Sequence, residues 1–257
     1  MDLARISTGI AGLDTLLHGG FIKGRSYLVT GDTGTGKTIA CLQFLVSSLA
    51  LGEKAVYVTA DERPADLLAS AASFSWDLQP HIQAKSLVIL DAAGGSAIEK
   101  GVDPQKMVSD LGNYAKSLGA TILILDPITP LLLPTQSTTS AQAHIRSLIQ
   151  LIQSHLNTTN LFTSHDSRSG GHEPAVGTEQ FLASGVLALK TREADVLRER
   201  VIQIRKMRYT PVEPGDYPFA LVQNQGIVLV DRPSANGVSR HAEPHFFKSF
   251  EPDKKDF

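Results

Sequence analysis

Short apolar runs alternate with longer amphipathic stretches through the first two-thirds of the chain. Five runs rich in Val, Ile and Leu end in polar or turn residues and predict buried strands, at residues 26–30, 55–59, 87–90, 121–125 and 161–164. Four amphipathic stretches predict helices, at residues 38–51, 64–75, 104–118 and 140–156. Strands and helices that alternate in this way predict an α/β fold with a mainly parallel central sheet flanked by helices.

The pattern changes after residue 185, where helical periodicity disappears. Short apolar runs joined by polar turns predict further strands, at residues 186–190, 200–208, 219–222 and 226–230. We expect them to extend the same sheet as an antiparallel C-terminal addition. Residues 232–257 mix Pro, Ser, Asn, His and Lys with few aliphatic residues, so we predict one domain at residues 1–231 and a C-terminal tail after it.

Composition narrows the class of protein. The 257 residues, 42% of them hydrophobic, suit one domain with a substantial core. A net charge of −2 lacks the cation excess of a strongly basic nucleic-acid-binding domain. The single cysteine allows no intrachain disulfide, and we find neither an apolar secretory segment nor a run of about 18 apolar residues. We therefore expect a cytoplasmic protein with no membrane contact.

One segment matches the phosphate-binding motif G-x-x-x-x-G-K-[ST] at every fixed position, between a predicted strand and a predicted helix. Its residues are Gly31, Asp32, Thr33, Gly34, Thr35, Gly36, Lys37 and Thr38. The glycines let backbone N–H groups surround a phosphate, and the helix that follows adds its partial positive charge. We expect Lys37 to bridge the β- and γ-phosphates of ATP and Thr38 to bind Mg²⁺. The flanking strand and helix argue against a chance glycine-rich turn.

Carboxylates follow two of the predicted strands. Asp126 ends the run at 121–125 and is predicted to anchor Mg²⁺ through water, although Asp91 shows that an acid after a strand can simply cap a turn. Asp61 and Glu62 precede Pro64, the expected first residue of a helix, and are candidates to orient or deprotonate an attacking water. Compensation of the helix dipole would place acids there equally well, and spacing does not separate these two hypotheses.

Several further segments resemble the KaiC family of RecA-like ATPases. Residues 6–20 are similar to its S-T-G-I-x-G-L-D-x-L-L-x-G-G opening, residues 57–64 to F-V-T-x-E-E-x-P, residues 73–78 to S-F-G-W-D-L, residues 206–208 to K-x-R and residues 215–219 to G-x-Y-P-F. The resemblance implies a RecA-like P-loop fold, a homo-oligomeric ring that is typically a hexamer, and ATP bound between neighbouring subunits. It implies that Glu62 activates water together with Asp61, which replaces a Glu of the family motif.

The resemblance also implies that Lys206 and Arg208 reach the γ-phosphate of a neighbouring subunit, as an arginine finger does. Two residues apart on a predicted strand, they are expected to project from the same face. The alternative is a solvated pair within the basic run at 198–208. The segment at 179–181 resembles the E-E-F of the family's ATPase-only domain, so autokinase activity is not expected, although Thr178 lies nearby.

These features predict an ATPase that converts ATP and water to ADP and phosphate and acts in regulation or signalling, with an unidentified regulatory protein as a further partner. Two alternatives stay open: a nucleotide-gated interaction module without significant turnover, and a RecA-like ATPase of DNA recombination or repair. The predicted loop at 168–177 contains one cation, Arg168, so nucleic-acid contact is weakly supported. Ser164 and His165 follow a predicted strand where RecA-like proteins have a phosphate-sensing residue, but a chance polar loop explains them equally well.

Overall fold

The structure is a computed structural model that describes residues 3–92, 104–128, 149–165, 182–194, 197–213 and 215–230. Its strands are β1 (Arg5–Ile6), β2 (Phe21–Ile22), β3 (Ser26–Gly31), β4 (Ala55–Thr59), β5 (Leu87–Asp91), β6 (Ile122–Asp126), β7 (Thr159–Ser164), β8 (Gly185–Ala194), β9 (Leu197–Met207), β10 (Asp216–Val222) and β11 (Gly226–Leu229). Its helices are α1 (Ala11–Leu16), α2 (Lys37–Ala50), α3 (Pro64–Ser73), α4 (Gln79–Gln83) and α5 (Pro104–Leu118), and residues 149–155 are also helical.

The central sheet has the strand order β11-β10-β9-β8-β3-β7-β6-β4-β5 within the described residues. The strands from β8 to β5 in this order run parallel to one another, whereas β9, β10 and β11 add antiparallel pairs. This arrangement confirms the predicted α/β class and its antiparallel extension. It also brings the carboxyl ends of β3, β4, β6 and β7 to one edge, where ligands bind in parallel sheets.

Strands β3, β4, β6 and β7 are buried along their whole lengths, because helices cover both faces of the sheet. Tyr27 packs into a cluster on one face with Phe44 of α2. Its neighbour Leu28 points into a second cluster, on the other face, with Val108 of α5 and Ile152. Alternate residues of one strand thus serve two cores, which explains the continuous apolar runs in the sequence.

The N-terminal segment folds into the small sheet β1–β2 and the helix α1, which the sequence analysis does not predict. The Asp14 carboxylate accepts hydrogen bonds from the Ser7 hydroxyl at 2.5 Å, the Thr8 hydroxyl at 2.6 Å and the Thr8 amide at 2.8 Å. Arg5 donates to the carbonyl oxygens of Leu17 at 2.9 Å and Gly20 at 3.0 Å. Hydrogen bonds among its own residues therefore stabilise the family-like opening of the chain.

Some predictions differ from the structure or fall outside the part of the chain that it describes. Strand β9 ends at Met207, so Arg208 lies one residue beyond it, and the pairing of β8 with β9 shifts register between Val186 and Leu187. Residues 140–148 of a predicted helix, the loop at 168–177, residues 178–181 and the tail at 232–257 are not among the described residues. None of the described helices is both long and apolar enough to span a bilayer.

Candidate nucleotide-binding site

The P-loop connects β3 to α2 and takes its shape from its own sequence. Gly36 caps the N-terminus of α2 with φ 105°, a left-handed conformation that favours glycine. A Cβ atom on Gly31 would lie 2.4 Å from the carbonyl oxygen of Leu189, so the loop passes too close to β8 for a side chain. The Thr35 hydroxyl donates to the Asp32 carbonyl oxygen at 2.8 Å and stabilises the curve of the loop.

A pocket of about 350 Å³ opens beside this loop at the carboxyl edge of the sheet. The predicted site residues that line it are Thr33, Gly34, Gly36, Lys37, Thr38, Asp61, Glu62 and Asp126. The remaining lining residues are Ile39, Thr59, Ser70, Pro127, His165 and Leu221. The structure thus brings the phosphate-binding loop and all three predicted acids to one cavity, with His165 beside them.

Lys37 is held inside the loop by backbone carbonyl groups. Its Nζ atom donates to the carbonyl oxygens of Gly31 at 2.7 Å and Asp32 at 2.9 Å. Burial lowers the pKa of Lys37, while the negative charges of Asp126, Asp32 and Asp61 oppose that shift. A phosphate would give this partly buried cation a stronger, charge-assisted acceptor than either carbonyl.

Asp126 is oriented from both sides by hydroxyl groups that the sequence analysis did not single out. The Tyr57 hydroxyl of β4 donates to Oδ2 at 2.6 Å, and the Thr163 hydroxyl of β7 donates to Oδ1 at 2.5 Å. Asp126 is only 7% exposed, so both oxygens need such donors. In the sequence, these contacts were indicated only by the polar hydroxyl groups of Tyr57 and Thr163 within mostly apolar predicted strands.

Asp61 and Glu62 occupy the turn between β4 and α3. The Thr59 hydroxyl donates to the backbone carbonyl oxygen of Glu62 at 2.6 Å and fixes this turn. The Oε2 atom of Glu62 is buried and has no hydrogen-bond partner among the described residues. Burial, followed by the charges of Asp126, Asp66 and Asp61, raises the pKa of Glu62.

The pKa of Asp61 is raised too. Burial is the main cause and Asp126 adds to it, while His165 and Lys37 oppose it. Both carboxyl groups therefore hold their protons to higher pH than isolated acids, as groups with a role in proton transfer do.

Lys206 and Arg208 do not line the pocket of their own chain. The Arg208 amide donates to the Ser184 carbonyl oxygen at 2.7 Å, and the Ser184 amide donates to that of Ser26 at 2.7 Å. Arg208 is thus level with the start of β3, whereas the P-loop follows the end of that strand, roughly 16 Å away at about 3.3 Å per residue. Burial and the nearby Arg208 lower the pKa of Lys206. The two cations lie together, at the amino ends of the parallel strands and so at the opposite end of the sheet from the P-loop.

N-terminal residues contact the segment that follows β9. The guanidinium carbon of Arg25 lies 5.5 Å from the ring centre of Tyr209, a cation–π distance. Arg5 donates to the Thr210 hydroxyl at 3.1 Å. Nε2 of His18 lies 2.9 Å from the Pro211 carbonyl oxygen. These contacts hold the chain next to Arg208, and the sequence analysis had assigned none of them.

Comparison with known proteins agrees with this geometry. Residues 6–234 match the family model described as "ATPase: KaiC". Circadian clock oscillator proteins KaiC are similar to this chain: that of Picosynechococcus sp. is 31% identical over 227 residues, covering 87% of this chain and 44% of that protein. The protein of Nostoc sp. is 32% identical, covering 87% of this chain and 43% of its own length. The chain thus spans less than half the length of these curated relatives.

A solved structure of a KaiC-like protein from the hyperthermophilic archaeon Pyrococcus horikoshii OT3 is similar to this chain. The TM-score is 0.76 with 29% sequence identity, and the match covers 90% of this chain and 100% of the other. The family resemblance inferred from motifs is therefore confirmed, as is the fold class.

Proposed function

Because this chain belongs to the KaiC ATPase family, we propose that it binds Mg²⁺-ATP and hydrolyses it to ADP and phosphate in a homo-oligomeric ring, as a regulatory or signalling ATPase. One observation carries the proposal. Lys37, Asp126 and Glu62 converge on one pocket at the carboxyl ends of the parallel strands, whereas Arg208 lies at their amino ends. A site that needs all four groups requires two copies of the chain.

ATP binding would use the P-loop as a cradle for the phosphates. The backbone N–H groups around Gly34 and the N-terminus of α2 attract the anion. Lys37 would exchange its carbonyl partners for β- and γ-phosphate oxygens.

The oxygen donors in the pocket fit magnesium. Thr38 and Asp126 offer the hard ligands that Mg²⁺ prefers, and the part of the chain that the structure describes has no group of three or more His, Cys, Asp or Glu side chains placed to hold a metal. Thr38 would bind the ion directly and Asp126 through water, with the phosphates completing its shell. When bound, the ion neutralises charge on the phosphates.

Hydrolysis would use Glu62, with Asp61, to orient a water molecule against the γ-phosphoryl group. The water oxygen forms a bond to phosphorus, the bond to the bridging oxygen breaks, and the proton passes to the Glu62 carboxylate. The buried Oε2 atom has no hydrogen-bond partner among the described residues, so its capacity to accept a hydrogen bond is unused. Lys206 and Arg208 of a neighbouring copy would stabilise the charge that develops on the transferred group.

The test measures phosphate release from Mg²⁺-ATP over a wide range of protein concentrations, for the wild type, Lys37→Ala and Arg208→Ala. We expect the wild-type specific activity to rise with concentration and each variant alone to lose it. A Lys37→Ala subunit still provides Arg208, and an Arg208→Ala subunit still provides a P-loop. An equal mixture should therefore recover about a quarter of the wild-type rate if subunits mix at random.

Other outcomes would redirect the proposal. Activity that does not depend on concentration or on Arg208 would exclude the shared site and keep the ATPase. ATP binding without turnover at any concentration would replace the ATPase by a nucleotide-gated interaction module.

A further inference from the structure

Tyr57 lies inside the sheet next to the pocket and is fully buried. Its ring belongs to the core cluster that includes Leu42 and Leu45 of α2, a role that a phenylalanine ring of nearly the same shape could fill. The hydroxyl group is the part that packing does not explain. A buried tyrosine hydroxyl requires a hydrogen-bond partner, and here the partner is the Asp126 carboxylate at 2.6 Å.

The register of the sheet accounts for this contact. Thr59 of β4 pairs with Asp126 of β6, and Tyr57 lies two residues before Thr59, so its side chain is on the same face of the strand. Thr163 of β7 approaches the carboxylate from the opposite neighbour strand. Among the described residues, each oxygen of Asp126 thus has one donor, and the plane of the carboxylate is determined at two points.

Each carboxylate oxygen has two lone pairs, so one protein donor leaves a second acceptor position on it. Asp126 also lines the pocket, so its remaining acceptor positions are available to a ligand there. We propose that Tyr57 is a positioning residue for magnesium: its hydroxyl holds Asp126 in the orientation that accepts hydrogen bonds from the hydration shell of the nucleotide-bound ion. This inference rests on the proposed function, which places Mg²⁺-ATP in this pocket.

Removal of the hydroxyl would leave Oδ2 buried without its protein donor, a costly state for a charged acceptor. Within the described part of the chain, the carboxylate would then be held at Oδ1 alone, by the Thr163 hydroxyl, and would be free to rotate about that contact. That movement withdraws Asp126 from the ion but leaves the phosphate cradle of the P-loop intact. The loss should therefore be confined to magnesium-dependent binding.

The experiment measures the affinity for a fluorescent ATP analogue with Mg²⁺ and again with EDTA, for the wild type and Tyr57→Phe. We expect the affinity of Tyr57→Phe to fall by about tenfold with Mg²⁺ and to stay unchanged with EDTA. Thr163→Val removes the other donor with little change of shape and should show the same magnesium-specific loss. It keeps the test decisive if Tyr57→Phe does not fold.

Tyr27→Phe is the matched control. Tyr27 is also a buried tyrosine of the same core, but its hydroxyl accepts a hydrogen bond from the Ile22 amide at 2.7 Å and does not line the pocket. This variant should lower the melting temperature and leave both affinities unchanged. The inference is overturned if Tyr57→Phe and Thr163→Val lose affinity equally in Mg²⁺ and EDTA, or lose none. If the affinity of the wild type for the ATP analogue is the same with Mg²⁺ and with EDTA, the magnesium site itself is overturned. That failure is distinguishable from failure of the role of Tyr57.

Discussion

The backbone amide of Arg208 donates a hydrogen bond of 2.7 Å to the carbonyl oxygen of Ser184, at the amino ends of the parallel strands and opposite the P-loop. Each copy of the chain therefore has Lys206 and Arg208 at the amino ends of the parallel strands and the P-loop pocket at their carboxyl ends. Two different surfaces that fit each other form a heterologous contact, the kind that closes into a ring when the rotation between copies allows it.

The first prediction separates nucleotide binding from turnover. Arg208→Ala should leave the affinity of dilute protein for ATP unchanged, because Arg208 does not contact its own pocket. It should lower the maximal rate of phosphate release by about a thousandfold or more, as the loss of an arginine finger does. Nucleotide titration of dilute protein and phosphate release at high concentration measure the two effects.

Arg198→Ala is the control for this prediction. Arg198 is an exposed cation near the start of β9, the strand that ends just before Arg208, so its removal changes net charge equally. If both variants lose the same activity, general electrostatics explains the effect and Arg208 has no specific role.

The second prediction concerns the acid limb of the pH–rate profile. Glu62 must be ionised to accept a proton, and its raised pKa keeps it protonated to higher pH than an ordinary glutamate. Activity should therefore fall with decreasing pH sooner than for an unperturbed acid. Asp66→Asn removes one of the charges that raise this pKa, so the acid limb should move to lower pH.

Initial rates between acid and neutral pH test this shift. Asp110→Asn changes an exposed acid on α5, outside the pocket, and should leave the acid limb in place. A limb that does not respond to Asp66→Asn, or that moves to higher pH, would contradict the assignment of the acid limb to Glu62.

The third prediction is that Glu62→Gln lowers the rate of ATP hydrolysis and raises the stability of the fold at neutral pH. The folded state binds the Glu62 proton more tightly than the unfolded state, so this group lowers the free energy of unfolding as pH rises from the ordinary pKa through the raised one. Glu62→Gln removes that dependence. Its melting temperature should match the wild type at pH below the ordinary glutamate pKa and exceed it at neutral pH.

Thermal melts at several pH values measure this difference between the two melting temperatures. Glu213→Gln, an exposed glutamate outside the pocket, should follow the wild type at every pH. If the Glu62→Gln variant has the same pH dependence of stability as the wild type, then folding does not raise the pKa of Glu62.

The fourth prediction concerns Gln43 of α2, which is 6% exposed and joins three parts of the chain. Its amide nitrogen lies 2.8 Å from the carbonyl oxygen of Gly9 and 3.0 Å from that of Gln225, and its amide oxygen accepts from the Ile227 amide at 2.7 Å. Gln43→Ala takes the partner from the buried Ile227 amide and from two partly buried carbonyl groups, and should lower the free energy of unfolding by about 2–4 kcal/mol.

Urea denaturation measures this loss. Gln153→Ala removes an exposed glutamine and should cost less than about 0.5 kcal/mol. Equal costs for the two variants would mean that water replaces the hydrogen bonds of Gln43 without penalty.

The sequence predicts the parts of this fold that local patterns specify. Strands β4 and β6 are continuous apolar runs, because helices cover both faces of the sheet, and the P-loop is a fixed motif whose neighbours lie next to it in the chain. By contrast, α1 has six residues and β1 two, too short for periodicity to identify.

The candidate site divides in the same way. Lys37 and Asp126 could be predicted because each follows or ends a recognisable strand. The contact of Tyr57 with Asp126 depends on which residues of β4 and β6 stand opposite each other, and periodicity does not specify that register. The position of Arg208 at the amino ends of the parallel strands depends on the antiparallel pairing of β9 with β8, which is a tertiary property.

The hydrogen bonds that Ser7 and Thr8 make to Asp14 have a consequence for descent. The segment that most readily marks the family is held by hydrogen bonds within itself and to α2, and none of its residues lines the pocket. A homologous chain that replaced Lys37 or Glu62 could keep this N-terminal segment and would still match the family by it. A match to this segment therefore identifies the family but does not establish ATP cleavage. The pocket residues have to be inspected in each new member.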